Sequence, residues 1–303
     1  MGKNRAMHMN VSRPSILLLF LCRMVKSGFL PRGYGWVLRS TPSFIWGGRN
    51  IKRQTDAGEM VFPLDDPGCT GMLLFGRILH EERESALVEK FATGCRVMVD
   101  IGSNAGWYSI IMWRGMKGKG RVFAFEPNPR TFLYLQENTV GRSGIHPLEI
   151  AMSDSNKKIP FYCSKSSNLS SAVRNVGEEV TVESMSLDEF CYSCRDFESA
   201  DFIKCDVEGS ELKVLRGARK LRSSGNSPVW LIEVDELFLE QAGASADEIM
   251  KEIFRPEFGV TRLYYLDPSG KSIEISHVGE RKGTNNVFIV PEARTQQFLQ
   301  ATE

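Results

Sequence analysis

From residue 96 onward the chain alternates short continuous apolar runs with stretches of helical spacing, and this alternation restricts the fold more than any other feature. Residues 96–101 (RVMVDI), 121–125 (RVFAF), 201–207 (DFIKCDV) and 228–234 (PVWLIEV) read as buried strands, with a weaker one at 146–151. Helical spacing follows at 107–116, 129–140, 210–221 and 245–254. Pro129 near the first turn, Gly141 just past the end, and Ser245 as a cap punctuate these helices in the expected way. Residues 155–185 read as a β excursion with arms at 159–163 and 179–183, and two late strands, 260–266 and 286–290, are linked by a turn at 268–270. Alternating βα units predict an α/β fold with helices on both faces of a mainly parallel sheet. Five units plus two late strands predict seven strands, the last running antiparallel.

Charge is unevenly spread along this pattern. The net charge of the 303 residues is only +1, yet residues 1–55 hold ten Lys or Arg and no acid. The expected organisation is therefore a basic N-terminal extension, 1–55, and one domain, 56–303. The apolar run from Ser15 to Cys22 is far short of the roughly 20 residues a spanning helix needs. It reads as a helix packed on the domain, as a basic interfacial helix in peripheral contact with a membrane, or as a short secretory signal. Seven cysteines, an odd number, do not suggest a disulfide framework, and the lone Cys191–Cys194 pair lacks the further ligands of a zinc site. A cytoplasmic location is expected.

Ligands in such sheets sit at the carboxyl ends of the strands, which selects the residues to inspect. The first strand ends in Asp100-Ile-Gly102-Ser103-Asn104-Ala-Gly106. A dinucleotide fingerprint would place its second glycine at Asn104, where the backbone must approach a pyrophosphate. A cofactor without phosphate has no such need, and S-adenosylmethionine is one. Asp100 is placed to hold its ammonium group directly or through water. Glu126, twenty-four residues after Gly102, ends the second strand where an acid accepts hydrogen bonds from ribose hydroxyls, and Pro127 fixes the turn that follows. Asp154, after the third strand, is placed to accept from the adenine amino group.

The fourth strand carries Lys204, Asp206 and Glu208 at a spacing of two, which puts all three on one face. Buried unpaired charge is costly, so either Lys204 neutralises Asp206 as a structural pair or the cluster orients and deprotonates an acceptor. Glu233 and Asp235 end the fifth strand, and with Asp206 they are an oxygen set of the kind Mg²⁺ accepts. Such carboxylates also gather around any polar cleft, and no metal is assigned.

The segment Asp201-Phe-Ile-Lys-Cys-Asp-Val-Glu-Gly-Ser-Glu211, followed by Leu215 and Gly217, resembles the hallmark of the FkbM-like methyltransferases. Val99–Gly106 and Phe125–Pro129 resemble that family's other two motifs, and the likeness covers roughly residues 90–292. It implies a Rossmann-like class I methyltransferase fold and, most often, O-methylation of a small molecule or sugar. On this reading Asp100, Gly102, Ser103, Asn104, Gly106, Glu126, Pro127 and Asp154 form the cofactor site. Asp206 and Glu208 orient or deprotonate the acceptor, tuned by Lys204. The rival readings are an N- or C-methyltransferase acting on a protein, lipid or nucleic acid, and a non-catalytic or NAD-binding protein. No specific nucleic-acid binding is expected.

Overall fold

The computed structural model describes residues 10–26, 43–173, 175–197, 199–280 and 285–303. Part of the basic extension, residues 1–9 and 27–42, lies outside them. The chain divides into two compact units, Met1–His80 and Glu81–Glu303.

In the first unit, strands β1 (Val11–Ser12), β2 (Asn50–Thr55) and β3 (Gly58–Pro63) form a small sheet in that order. Helix α1 (Ile16–Lys26), short α2 (Ser43–Trp46) and α3 (Thr70–Phe75) complete it. The β2–β3 hairpin straddles the boundary expected at residues 55 and 56, because Asp56-Ala57 is its turn.

The second unit opens with α4 (Glu82–Phe91), which the apolar pattern did not bring out. Strand β4 (Val97–Ile101), α5 (Trp107–Gly115), β5 (Arg121–Phe125), α6 (Pro129–Thr139) and β6 (Ile145–Leu148) follow. A side sheet is built from β7 (Ala151–Ser153), β8 (Lys157–Cys163) and β9 (Glu178–Ser186). Then come α7 (Leu187–Ser193), β10 (Phe202–Cys205), α8 (Glu211–Arg216), α9 (Arg219–Ser223) and β11 (Val229–Val234). The chain closes with α10 (Glu236–Gln241), α11 (Ala246–Ile253), β12 (Thr261–Leu266), β13 (Ser272–Ile275), β14 (Asn285–Pro291) and α12 (Thr295–Thr302).

The main sheet has eight strands in the order β13-β12-β14-β11-β10-β4-β5-β6. Strands β4, β5, β6, β10 and β11 pair in parallel, and β14 inserts antiparallel between β11 and β12. This is the Rossmann-like, mainly parallel arrangement expected, with one strand more than the seven predicted. The extra strand explains itself. The turn at 268–270 does not lead to the last strand but folds the chain into β13, which pairs antiparallel with β12 at the sheet edge.

Period-two alternation sends the strands' side chains to two cores. Val99, Ile101, Phe123, Phe125, Ile203, Cys205 and Trp230 lie in one, with Phe190 edge-on to Phe125 at 4.9 Å. Met98, Phe202 and Phe288 alternate with them, and Phe202 meets Phe91 of α4 at 5.5 Å.

The helix expected at 210–221 is two helices. A side chain at Gly217 would lie 2.0 Å from the Ser153 carbonyl oxygen, so β7 packs onto the chain there and the helix breaks. Asn128 caps α6, its side chain accepting from Arg130 N–H at 3.0 Å, with Pro129 at the first position. Ser245 caps α11 by accepting from Glu248 N–H at 3.3 Å, and that helix buries Ile249 and Ile253 while Phe254 lies exposed just past its end.

Replacing Ser245 by Ala should cost about 1 kcal/mol of stability, the usual loss for a capping hydroxyl. Urea unfolding followed by circular dichroism measures this, and a loss below a few tenths would mean that α11 does not depend on its cap.

Candidate functional site

The carboxyl ends of β4, β5 and β10 are tied together by the backbone. Gly102 N–H and Ser103 N–H both donate to the Phe125 carbonyl at 2.9 Å, and Asp206 N–H donates to the Ile101 carbonyl at 3.0 Å. Gly102 sits at φ +79°, and a Cβ there would lie 1.8 Å from the Asp206 carbonyl oxygen. Only glycine meets both demands. Asn104 also takes a left-handed conformation, φ +47°, which asparagine tolerates better than most residues.

These strand ends open into a cavity of about 550 Å³. It is lined by Gly102, Asn104, Glu126 and Pro127 from the strand ends of β4 and β5, by Asp206 and Glu208, and, from the side-sheet region, by Asp154, Ile159 and Phe161. Residues 155–185, an excursion in the sequence, thus wall the cavity.

Glu126 is buried and each of its oxygens accepts one backbone N–H: Asn104 at 2.8 Å and Asn128 at 2.9 Å. A carboxylate oxygen carries a second lone pair, so both retain accepting capacity. Burial pushes the Glu126 carboxyl up to about 7, against the opposing pull of the Asn128 and Asn104 amides.

Four predicted residues are not on the cavity wall. Asp100 is 1% exposed, one oxygen accepting from the Ser109 hydroxyl at 2.5 Å. Burial raises its pKa, with Lys204 opposing. The Ser103 hydroxyl is spent on the Asp100 carbonyl at 2.8 Å. Gly106, at φ +92°, starts α5, where a side chain would strike Leu135. Lys204 is buried and donates to Asp206 at 2.9 Å. The pair foreseen for a structural role therefore forms, but Asp206 is also a quarter exposed and faces the cavity. Burial works against the charge of Lys204. Asp206, Glu81 and Asp100 outweigh it and hold the ammonium above the ordinary lysine range.

The hallmark segment divides its labour. Asp201 sits at the opposite end of β10, where it accepts from Arg96 N–H at 2.7 Å and from Arg294 at 3.1 Å, holding β4 and the C-terminal region in place. Glu211, buried, accepts from Val207 N–H and Gly209 N–H and shapes the loop, and burial pushes its carboxyl up to about 7. Between them Glu208 is held at φ +54°, its carbonyl accepting from the Ser171 hydroxyl at 2.8 Å. A non-glycine residue there stores about 1–3 kcal/mol of strain, as functional loops often do.

One contributor was missed. Glu81 lies with Asp206 and Glu233 so that their carboxylate oxygens are within 4.8 Å of one another. It is an acid sixteen residues before the first strand of the main sheet, in a stretch with no motif, and only the tertiary fold brings it in. Asp235, grouped with Glu233 in the sequence, instead caps α10 by accepting from Phe238 N–H at 3.1 Å. Burial and then Asp206 push the Glu233 carboxyl well above the usual carboxylate range. Cys191 and Cys194 are half-buried free thiols.

The model of the Methyltransferase FkbM domain matches residues 100–260, more than half of the chain. The chain belongs to this family. It is similar to the hexuronic acid methyltransferase AglP of Haloferax volcanii, 37% identical over 132 residues, covering 43% of this chain and 53% of that one. It is also similar to the 2-O-methyltransferase NoeI of Sinorhizobium fredii, 30% identical over 142 residues, covering 41% and 58%. The matches thus span little more than half the length of these relatives. A methyltransferase FkbM from Methylobacillus flagellatus is a solved structure with a TM-score of 0.41 and 19% identity, covering 64% of this chain and 43% of that one.

Gly102→Ala should destabilise the unit by about 2–5 kcal/mol, the sum of left-handed strain and overpacking against Asp206. Thermal unfolding of the variant measures it. A native melting temperature would show that β10 does not need this close approach.

Proposed function

We propose that the chain transfers a methyl group from S-adenosylmethionine to a hydroxyl oxygen of a sugar. The observation that carries this reading is the cavity itself: Glu126, Asn104 and Gly102 line it together with Asp206, in a chain of the FkbM family. One relative is named for a hexuronic acid and another for 2-O-methylation, which favours a carbohydrate hydroxyl.

The residues fit this cofactor. Glu126 has two lone pairs left for ribose hydroxyls, and Asp154, exposed on the cavity wall, offers an acceptor to the adenine amino group. The left-handed Asn104 lies where a dinucleotide would require glycine, which speaks against NAD. When bound, the cofactor supplies an electrophilic methyl group on a sulfonium.

The chain's own residues then bind and orient the acceptor. Asp206, fixed by Lys204 at 2.9 Å, accepts the hydrogen of the hydroxyl and so aims a lone pair of its oxygen. An ordinary carboxylate is a weak base for an alcohol, with a pKa near 4. As the new oxygen–carbon bond forms, the hydroxyl becomes strongly acidic, and a weak base suffices to take its proton at that moment. Positioning rather than prior deprotonation is therefore the main contribution. Glu208 extends the polar wall that receives the sugar. Glu81 and Glu233 keep further hydrogen-bonding groups next to Asp206.

Transfer of labelled methyl from S-adenosylmethionine to a panel of free and nucleotide-linked uronic acids and neutral sugars tests this. Label should appear as an alkali-stable ether on a hydroxyl. Asp206→Asn should lower turnover by about 10²–10⁴-fold while cofactor affinity stays close to native. Label on nitrogen or carbon, or full turnover in Asp206→Asn, would contradict the proposal.

A further inference from the structure

Helix α1 is apolar on every side before Arg23: its sequence is ILLLFLCRMVK. One face is accounted for. Leu18, Cys22 and Val25, spaced at four and three residues, are buried within the first unit, and α1 packs on α3, with the Cys22 thiol reaching the Leu73 carbonyl. The other face is not. Ile16, Leu19, Phe20 and Arg23 also follow helical spacing and all four are exposed, Ile16 at 87% and Phe20 at 57%. Phe44, on the short helix α2 that packs against α1, is 78% exposed as well. Exposed apolar groups of this size, gathered on one small unit, mark an interaction surface.

Charge says what covers it. Residues 1–80 hold eleven Lys and Arg against four Asp and Glu, so this unit is net +7, whereas residues 81–303 are net −6. Arg13, Arg23 and Arg49 are exposed. A second copy of this chain would bring one +7 unit against another. An anionic surface with an apolar interior complements both features at once, and an anionic lipid leaflet has that chemistry. At about 1.5 Å per residue, eleven residues are too short to cross a bilayer core, and among the described residues no helix is long and apolar enough to do so. The contact is therefore in the interface plane.

We propose that α1 seats the protein on anionic lipid, with Ile16, Leu19, Phe20 and Phe44 in the headgroup–acyl boundary and Arg23 among the headgroups. This is independent of the methyl-transfer reading, since no residue of the cavity lies in residues 1–80.

The test is co-sedimentation of the full chain with phosphatidylserine-containing vesicles and with pure phosphatidylcholine vesicles. The native chain should sediment with the first at low salt, hardly with the second, and be released as salt rises. Ile16→Ser combined with Phe20→Ser should weaken partitioning by at least about tenfold. Arg23→Gln, a surface change that leaves the apolar face whole, should weaken it by about fivefold. Circular dichroism should be unchanged in both. A native chain left in the supernatant with both vesicles, or variants that sediment as the native chain does, would overturn the proposal. So would retention by nucleic acid without retention by vesicles, or a solution dimer that Ile16→Ser with Phe20→Ser dissolves in a chain that ignores lipid.

Discussion

Everything in the second unit that bears on function depends on how closely β10 approaches the loop after β4. The missing side chain at Gly102 lets the Asp206 carbonyl come to where a Cβ would stand. That contact brings the Asp206 side chain beside Glu126 and Asn104, which belong to segments far apart in sequence. Replacing the glycine would not merely crowd the loop. It would separate Glu126 and Asn104 from Asp206, which line one cavity.

The second dependence is electrostatic. Asp100, Lys204, Asp206, Glu81 and Glu233 share a small, poorly hydrated region, and one ammonium serves four carboxyls. Desolvation disfavours each charge singly. Lys204 is held above the ordinary lysine range because several acids pull on it together, and burial, then Asp206, pushes the Glu233 carboxyl up. Asp206 is the member with access to the cavity, and its neighbours fix where it points and what it can accept. Such networks are costly to leave half-satisfied, which couples the site's chemistry to the stability of the unit.

Much of this was legible in the sequence. The strands at 96–101, 121–125 and 228–234 announced themselves because a strand covered on both faces must be apolar throughout. Glu126 and Asp206 could be placed because ligands lie at the carboxyl ends of such strands. What escaped notice depends on long-range packing. Asp100 is buried, its carboxylate accepting from the Ser109 hydroxyl with Lys204 nearby, a pairing that its strand position alone does not reveal. Asp201 opens the same hallmark segment as Asp206, yet it lies at the other end of the strand and holds Arg96 and Arg294. The break at Gly217 comes from β7, and β13 comes from a turn that points back rather than onward. Glu81 has no local signal at all.

The account stands on the cofactor lying with its ribose on Glu126. Calorimetric titration of S-adenosylmethionine across pH tests this most directly. The carboxyl is held at about 7 in the free protein and accepts from the ribose best when ionised, so binding should draw off its proton. Affinity should rise as pH increases through about 7 and level off above it. Glu126→Ala should bind more weakly by about 1–3 kcal/mol above pH 7 and lose that rise. Native affinity that is flat across this range, or unchanged affinity in Glu126→Ala, would contradict the account.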